Sequence, residues 1–455
     1  MPSVSAPPTS SGYCVEMTLR LDEQTLAGLQ EAALARFLRY VAIDTRADPD
    51  SGRHPSSAGQ LTLARLMAEE LAAMRRIQTE LDDHGYLYVT VPARHSESSI
   101  SLTFCAHFDT SPAVSGTDVK PIVRAAYDGG ALRFPDDPDL LLTPRDAPAL
   151  KRFVGQDIVT ASGQTLLGAD DKAGLAAIMT ALAALEDLPD WPHPQLQIVF
   201  TPDEEIGQGA DLIRADRLGD VGYTIDGGEM GELEAECFHA LKAVLVFKGL
   251  NVHPGYAKGC MVNAAAIAAR LAADLPAWET PEHTEGREGF FHLTRIRGDE
   301  SLASLELILR DFDPSANLQR HGQLERLADV YRLRYPGLGL DLAVSEQYRN
   351  MKEVLDQHPA VIQIARQAIA DAGITVIDKS IRGGTDGARL SFMGMPTPNL
   401  FAGGHLFHSR KEWIPVSALQ KSAEVILNLC RLWATTQGPT AFRATDFSRR
   451  SSGEE

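Results

Sequence analysis

Apolar runs that stop on an acid or a histidine constrain this chain more than any other feature. ISLTFCAHFD halts at His107 and Asp109, QLQIVFTPDEE at Glu204 and Glu205, and VGYTIDGG at Asp226. Short apolar runs bounded by turn residues read as buried strands. Here they alternate with helical patterns such as SSAGQLTLARLMAEELAAM and the apolar stretch Leu175–Leu188. That alternation predicts an α/β sheet sandwiched by helices. Open sheets of this class bind ligands just past the carboxyl ends of their strands, which is where these ionisable residues fall.

Between about residues 236 and 349 the grammar changes. HALKAVLVFKG reads as a strand, NAAAIAARLAADL as a helix, GFFHLTRIRG and SLASLELILRDFD as a hairpin, SANLQRHGQLERLADVYRLRY as a helix and LGLDLAVSEQY as a strand. The order β-α-β-β-α-β is the ferredoxin-like α+β plan. It interrupts catalytic-type sequence that resumes at IRGGTDGARLSFMGMPTPNLFAGG. The expected organisation is a disordered extension over 1–24, a catalytic domain in two segments (25–235 and 350–440), an inserted lid over 236–349 and a disordered tail over 441–455.

A net charge of −18 argues against nucleic acid, whose phosphates call for clustered Lys and Arg. The five cysteines are dispersed and lack C-x-x-C spacing, so they form neither a disulfide framework nor a thiolate zinc site. A reducing compartment fits them, and Cys105 reads as small core filler. MPSVSAPPTSSGY lacks the charged start and apolar stretch of a secretory signal. The longest apolar stretch, Ala173–Leu185, is too short to span a bilayer and is flanked by Lys172 and Glu186. A soluble, cytoplasmic protein with no membrane partner is expected.

Two further segments complete a metal-type constellation. GADDKAG offers Asp170 as a carboxylate able to bridge two cations, with Asp171 and Lys172 read as structural; GGHLFHSRKEW offers His408 or its competitor His405, with Glu412 placed to support a ligand histidine. Two histidines and three carboxylates suit two Zn²⁺, and imidazole and oxygen donors without thiolate also admit Co²⁺ or Mn²⁺. Adjacent Glu204 and Glu205 at a buried strand end cost free energy unless a cation compensates. Glu205 is read as the ligand, and Glu204 as the group that takes a proton from water. Asp109 is placed to fix the tautomer of His107.

These segments, together with HFDTSPAVSG, FTPDEEIGQGA, DGGEMGELE, NVHPGYAKGCMVNA and ILRDFD, carry a resemblance that extends over nearly all of the chain after the first 25 residues or so. Taken in order they resemble the di-zinc peptidases related to aminoacylase and carboxypeptidase G, and within them the tripeptide aminopeptidases. The resemblance implies a di-zinc peptidase-type catalytic domain, a mixed sheet between helices, with a ferredoxin-like lid. It implies one metal on His107, Asp170 and Asp226 and another on Asp170, Glu205 and His408. His408 matches the family's histidine better than His405, and Glu204 matches a base acting on a bridging hydroxide. His253 resembles a lid histidine that reaches the substrate carbonyl, in relatives sometimes from a partner subunit, so the resemblance admits a homodimer without fixing the oligomeric state. Arg310 or Arg382 would pair with the carboxylate of a short peptide, with Asn263 assisting. A related dipeptidase, deacylase or carboxypeptidase, and a silent peptide-binding protein, are the rival readings.

Overall fold

A computed structural model describes residues 19–436. The expected tail over 441–455 and most of the 1–24 extension lie outside the described residues. Helix Glu23–Val41 begins inside that expected extension, because Asp22 caps it by accepting from the Thr25 amide at 2.7 Å.

The central sheet has eight strands in the spatial order Gln78–Leu81, Leu87–Val91, Gln195–Thr201, Ser101–His107, Val221–Gly227, Asn399–Phe401, Glu232–Cys237 and Ile377–Ile381. The four inner strands, from Gln195–Thr201 to Asn399–Phe401, run parallel. Their carboxyl ends therefore open on one edge. The chain crosses from Ser101–His107 to Gln195–Thr201 on one side, then returns to Val221–Gly227 on the other. This is a topological switch point, where such sheets form a crevice.

Alternate side chains of Ser101–His107 feed two cores. Phe104 and Ala106 join a large cluster under helices Glu23–Val41, Ala169–Asp187 and Val416–Thr435, while Cys105 joins Tyr86, Tyr88, Val199, Leu390 and Met395 on the opposite face. Cys105 is thus apolar filler, as its setting in the sequence predicts. Helix Ala169–Asp187 is buried along most of its length, and Gly174 sets how closely it approaches the sheet. A Cβ there would lie 2.0 Å from the Ile225 carbonyl oxygen, so any larger residue would push the helix off the strand that carries Asp226.

The insertion is a four-stranded antiparallel sheet, ordered Phe290–Gly298, Leu302–Asp311, His239–Lys248 and Gly339–Tyr348, with helices Ala264–Ala273 and Pro314–Arg334 packed on it. In Leu302–Asp311 the residues Ala303, Leu305, Leu307 and Leu309 are buried and alternate with more accessible ones, the signature of a sheet with one covered face. Residues 122–160 hold structure that the apolar pattern does not announce. Ile122–Arg124 and Ile158–Thr160 form a small sheet with Trp413–Pro415, and Leu132–Phe134 pairs with Asp137–Leu142. Among the described residues no helix is long and apolar enough to cross a membrane.

Candidate metal centre

Each predicted ligand arrives at the sheet's carboxyl edge for a local reason. His107 ends its strand directly opposite Thr201. Asp170 and Asp171 sit before the regular part of their helix, with non-helical backbone angles, joined by a cis peptide bond. Asp171 is the true cap: its buried carboxylate accepts from the Gly174 amide at 3.1 Å and from the His107 amide at 3.2 Å. Asp170, one residue earlier, is left to face the cleft. Lys172, also buried, donates to the Ile43 carbonyl at 2.7 Å. Both residues therefore make structural contacts, as expected.

The two oxygens of Asp170 serve two separate groups of donors. Oδ1 lies 3.0 Å from His107 Nε2, which is also 3.4 Å from Asp226 Oδ1. Oδ2 lies 3.0 Å from His408 Nε2, which is 2.9 Å from Glu205 Oε1. Glu205 Oε1 is buried, and that short contact with the imidazole lacks good hydrogen-bond alignment. Donor atoms of His107, Asp170 and Glu205 all fall within 4.8 Å of one another. Convergent imidazole and carboxylate donors around two points sharing one carboxylate fit a pair of divalent cations.

The electrostatics carry the same message. Burial pushes Asp226 up to about 7, despite the nearby His107, and Glu205 up to about 8, with Asp170 adding repulsion. Burial opposes protonation of His408, but hydrogen bonds to Asp170 and Glu205 overcome it and raise the ring to about 11. Burial also works against ionised Asp170, yet contacts with both histidines hold it well below the usual carboxylate range. Carboxylates packed this tightly away from water need positive charge among them, supplied by protons or by metal.

The supporting groups are as ordered as the ligands. His107 Nδ1 is 3.0 Å from the Asp109 carbonyl oxygen and 3.4 Å from its carboxylate. The Asp109 carboxylate instead accepts the amides of Glu204 and Glu205, each at 3.0 Å, so one residue orients the first histidine and anchors both glutamates. Asp203, at a left-handed φ of 60°, accepts from the Ser56 amide and from Gln60 and lies 3.1 Å from His54 Nδ1. That buried network offsets the strain of the turn from strand to glutamates. Sequence reasoning missed it, because its partners lie about 145 positions away.

Glu412 does not support a histidine. Its buried carboxylate accepts the amides of Leu167 and Gly168 at 2.8 Å and that of Asp170 at 3.2 Å, fixing the loop that carries Asp170. His405 does not line the cleft: it stacks on Trp413 with ring centroids 4.0 Å apart, and burial drops it to about 3. His408 takes the position at φ 58°, a backbone conformation that a β-carbon disfavours and that occurs at functional sites.

The donors open into a cleft of about 650 Å³, lined by Asp170, Glu204, Glu205, Asp226 and His408 from the catalytic segments and by Arg310 and Tyr348 from the lid. That volume suits a small ligand. Burial raises Glu204 well above the ordinary range, and its carboxylate takes no hydrogen bond from the described residues. Arg310 sits over the Tyr348 ring at 5.2 Å, and its buried Nε has no hydrogen-bond partner. Arg382 is turned elsewhere: it donates to the carbonyls of Thr284, Gly286 and Glu288 and packs over Phe238 and Phe290. His253 and Asn263 do not line the cleft. His253 is exposed and accepts from the Gly255 amide at 3.1 Å; Asn263 caps its helix through the Ala266 amide at 2.9 Å.

Strand-end donors, a shared carboxylate and a lid facing them define a two-metal hydrolase scaffold. Residues 167–432 match the model of peptidase family M20/M25/M40. The chain is 45% identical over 401 residues to Peptidase T of Halothermothrix orenii, covering 88% of this chain and 98% of that one. It is 42% identical over 406 residues to Peptidase T of Geobacillus thermodenitrificans, covering 89% and 99%. Among solved structures, aminopeptidase PepT from Bacillus cereus superposes with a TM-score of 0.68 at 23% identity, covering 89% of this chain and 99% of that one. A dinuclear metal binding peptidase of family M20 from Bacillus subtilis does so with 0.59 at 12% identity, covering 89% and 98%. The chain belongs to peptidase family M20/M25/M40.

Proposed function

We propose that this chain is a metal-dependent aminopeptidase that releases the N-terminal residue from short peptides, chiefly tripeptides. The observation that carries the reading is the pair of donor groups sharing Asp170, with the unligated carboxylate of Glu204 beside them in the cleft. The name Peptidase T borne by relatives at 42–45% identity supports the substrate class.

His107, Asp170 and Asp226 would hold one cation and Asp170, Glu205 and His408 the other. Zinc is the favoured metal, with Co²⁺ or Mn²⁺ compatible with the same donors. When bound, two such cations polarise a peptide carbonyl and acidify water. Glu204 takes the proton from the attacking water and returns it to the departing amine as the C–N bond breaks, leaving an amino acid and a shortened peptide. Its raised affinity for protons suits that shuttle. Asp109 keeps Glu204 and Glu205 in register, and Arg310 receives the substrate's terminal carboxylate. His253 and Asn263 act on substrate only after lid movement or from a second copy, which favours a homodimer. A cytoplasmic site of action fits the free Cys105, Cys237, Cys260 and Cys430.

The deciding assay compares a free tripeptide with its N-acetylated twin, after metal stripping and after Zn²⁺ is restored. Metal-dependent cleavage of the free peptide alone is expected. Cleavage of the blocked peptide moves the assignment to a deacylase or carboxypeptidase, and cleavage of neither favours a silent binder.

A further inference from the structure

One buried acid in the cleft is used neither by the metal centre nor by the proton shuttle. Glu234 lies on strand Glu232–Cys237, is 6% exposed and lines the cleft. It pairs in register with Asn399, which pairs with Thr224 on the strand that carries Asp226. Asn399 is a wired connector between the two. Its Oδ1 accepts from the Thr224 hydroxyl at 2.8 Å and from the Asp226 amide at 3.1 Å. Those two donors fix the amide's orientation, so Nδ2 must point the other way, where it donates to Glu234 Oε2 at 2.7 Å.

That contact uses one oxygen of Glu234. Oε1 has no hydrogen-bond partner among the described residues, and it belongs to a side chain that faces the cleft. The lysine on the neighbouring strand does not satisfy it. Lys379 is level with Glu234 on the neighbouring strand, but its Nζ is taken by Glu232 Oε1 at 2.6 Å. Glu232 Oε2 is itself buried without a partner, and a Cβ on the cleft-lining Gly228 would meet it at 2.8 Å. With Lys379 matched to Glu232, Glu234 is the unmatched carboxylate of this wall. This acid is held in place, half-satisfied and open to the cleft; burial pushes it up to about 8, and a cationic hydrogen-bond donor from the ligand would favour its ionised form.

The geometry points to Glu234 as the anchor for the free α-ammonium group of the peptide's first residue. This rests on the aminopeptidase reading and sharpens it, since it names the group that makes a free N-terminus a requirement. The ammonium nitrogen of a first residue lies only about 2.5 Å from the scissile carbonyl carbon, through N–Cα–C. It must therefore bind within the same cleft, close to Asp226. Glu234 is the carboxylate next along the sheet, about two strand spacings, roughly 10 Å of backbone, beyond the Asp226 strand, with its side chain reaching into the space between. An acylated N-terminus would set a neutral carbonyl oxygen against this carboxylate and leave its charge unpaired, which is rejection as well as lost attraction. DGGEMGELE, a segment singled out in the sequence, thereby supplies both a metal-facing acid and a specificity residue.

The test uses an alanyl tripeptide and its propionyl counterpart, the same molecule without the α-amino group, on the metal-loaded enzyme. Wild type is expected to prefer the amine strongly. Glu234→Gln keeps an acceptor for Asn399 and removes only the charge. It should lose roughly a hundredfold in kcat/KM on the amine, mainly through KM, with the propionyl rate unchanged. Glu234→Asp should fall between them, with metal content and Tm near wild type in both variants. Unaltered discrimination in Glu234→Gln, or equal loss on both substrates in both variants, overturns the inference and leaves the aminopeptidase reading standing. Equal cleavage of the two substrates by wild type removes that reading itself, and the inference with it.

Discussion

The catalytic edge of the central sheet and the lid that faces it are built to opposite specifications. At the edge, His107, Asp109, Asp171, Asp203 and Glu412 are buried; His107 is held by the carbonyl of nearby Asp109, and each of the four acids is fixed by backbone amides from distant segments. The lid has a covered face around Leu305, Leu307 and Leu309, but its NVHPGY loop lies in solvent, with Tyr256 at 80% exposure. Only a few lid residues, Arg310 and Tyr348 among them, reach the cleft. Chemistry that must hold charges at fixed distances sits on preorganised elements, whereas the exposed loop is held by few buried contacts.

That contrast can be broken in measurable steps. The largest effect is expected from Glu204→Ala, which should cut turnover of a tripeptide on the order of a hundred- to ten-thousand-fold while bound metal stays at the wild-type level. Turnover near wild type in that variant breaks the assignment of the proton shuttle. Asp109→Ala removes the acceptor for two amides and loosens His107, so about 10–100-fold should be lost in metal affinity or activity. Titrating metal into the stripped variant reads the first of these, and wild-type affinity together with wild-type kcat would contradict it.

On the lid side, Arg310→Met should cost about 1.5–3 kcal/mol, roughly ten- to a hundredfold in kcat/KM, on peptides with a free C-terminal carboxylate. It should cost little on their amides. Equal losses on both substrates would mean that Arg310 is structural.

A pH effect separates the two regions further. In metal-free protein, Asp226 at about 7, Glu205 at about 8 and His408 at about 11 all bind protons more tightly than when unfolded. Their stabilisation is complete below the unfolded values and fades as pH rises through the folded ones. Metal displaces those protons, so the rise in Tm caused by Zn²⁺ should be larger at pH 8 than at pH 6. A rise that is the same or smaller at pH 8 would contradict the charge account. The smallest effect belongs to His405→Phe. The ring is a neutral member of an aromatic stack, so kcat should hold and stability should shift by about 1 kcal/mol or less.

What could be read in the sequence follows from how local each signal is. His107, Glu204 with Glu205, and Asp226 announce themselves because an apolar strand stops beside them, and the insertion shows because its alternation changes. The helix cap that frees Asp170 is local too, since Asp171 and Gly174 lie three positions apart. By contrast, only the family resemblance favours His408 over His405 in the sequence, since the stacking of His405 on Trp413 is a long-range contact, and the role of Glu412 depends on amides at Leu167, Gly168 and Asp170. No periodicity encodes such pairings. The small sheet within residues 122–160 was hidden because strands such as Ile122–Arg124 and Ile158–Thr160 are too short to show alternation. Glu234 looked like any acid in an acidic segment until Asn399 tied it to the strand of Asp226.

The central claim, one carboxylate shared between two cation sites, is tested most directly by the metal content of Asp170→Asn and Asp226→Asn beside wild type, measured by elemental analysis after equilibration with limiting Zn²⁺. The account predicts two metals per chain in wild type, loss confined to one site in Asp226→Asn, and loss of both in Asp170→Asn. An Asp170→Asn protein that still binds two metals as tightly as wild type would contradict it.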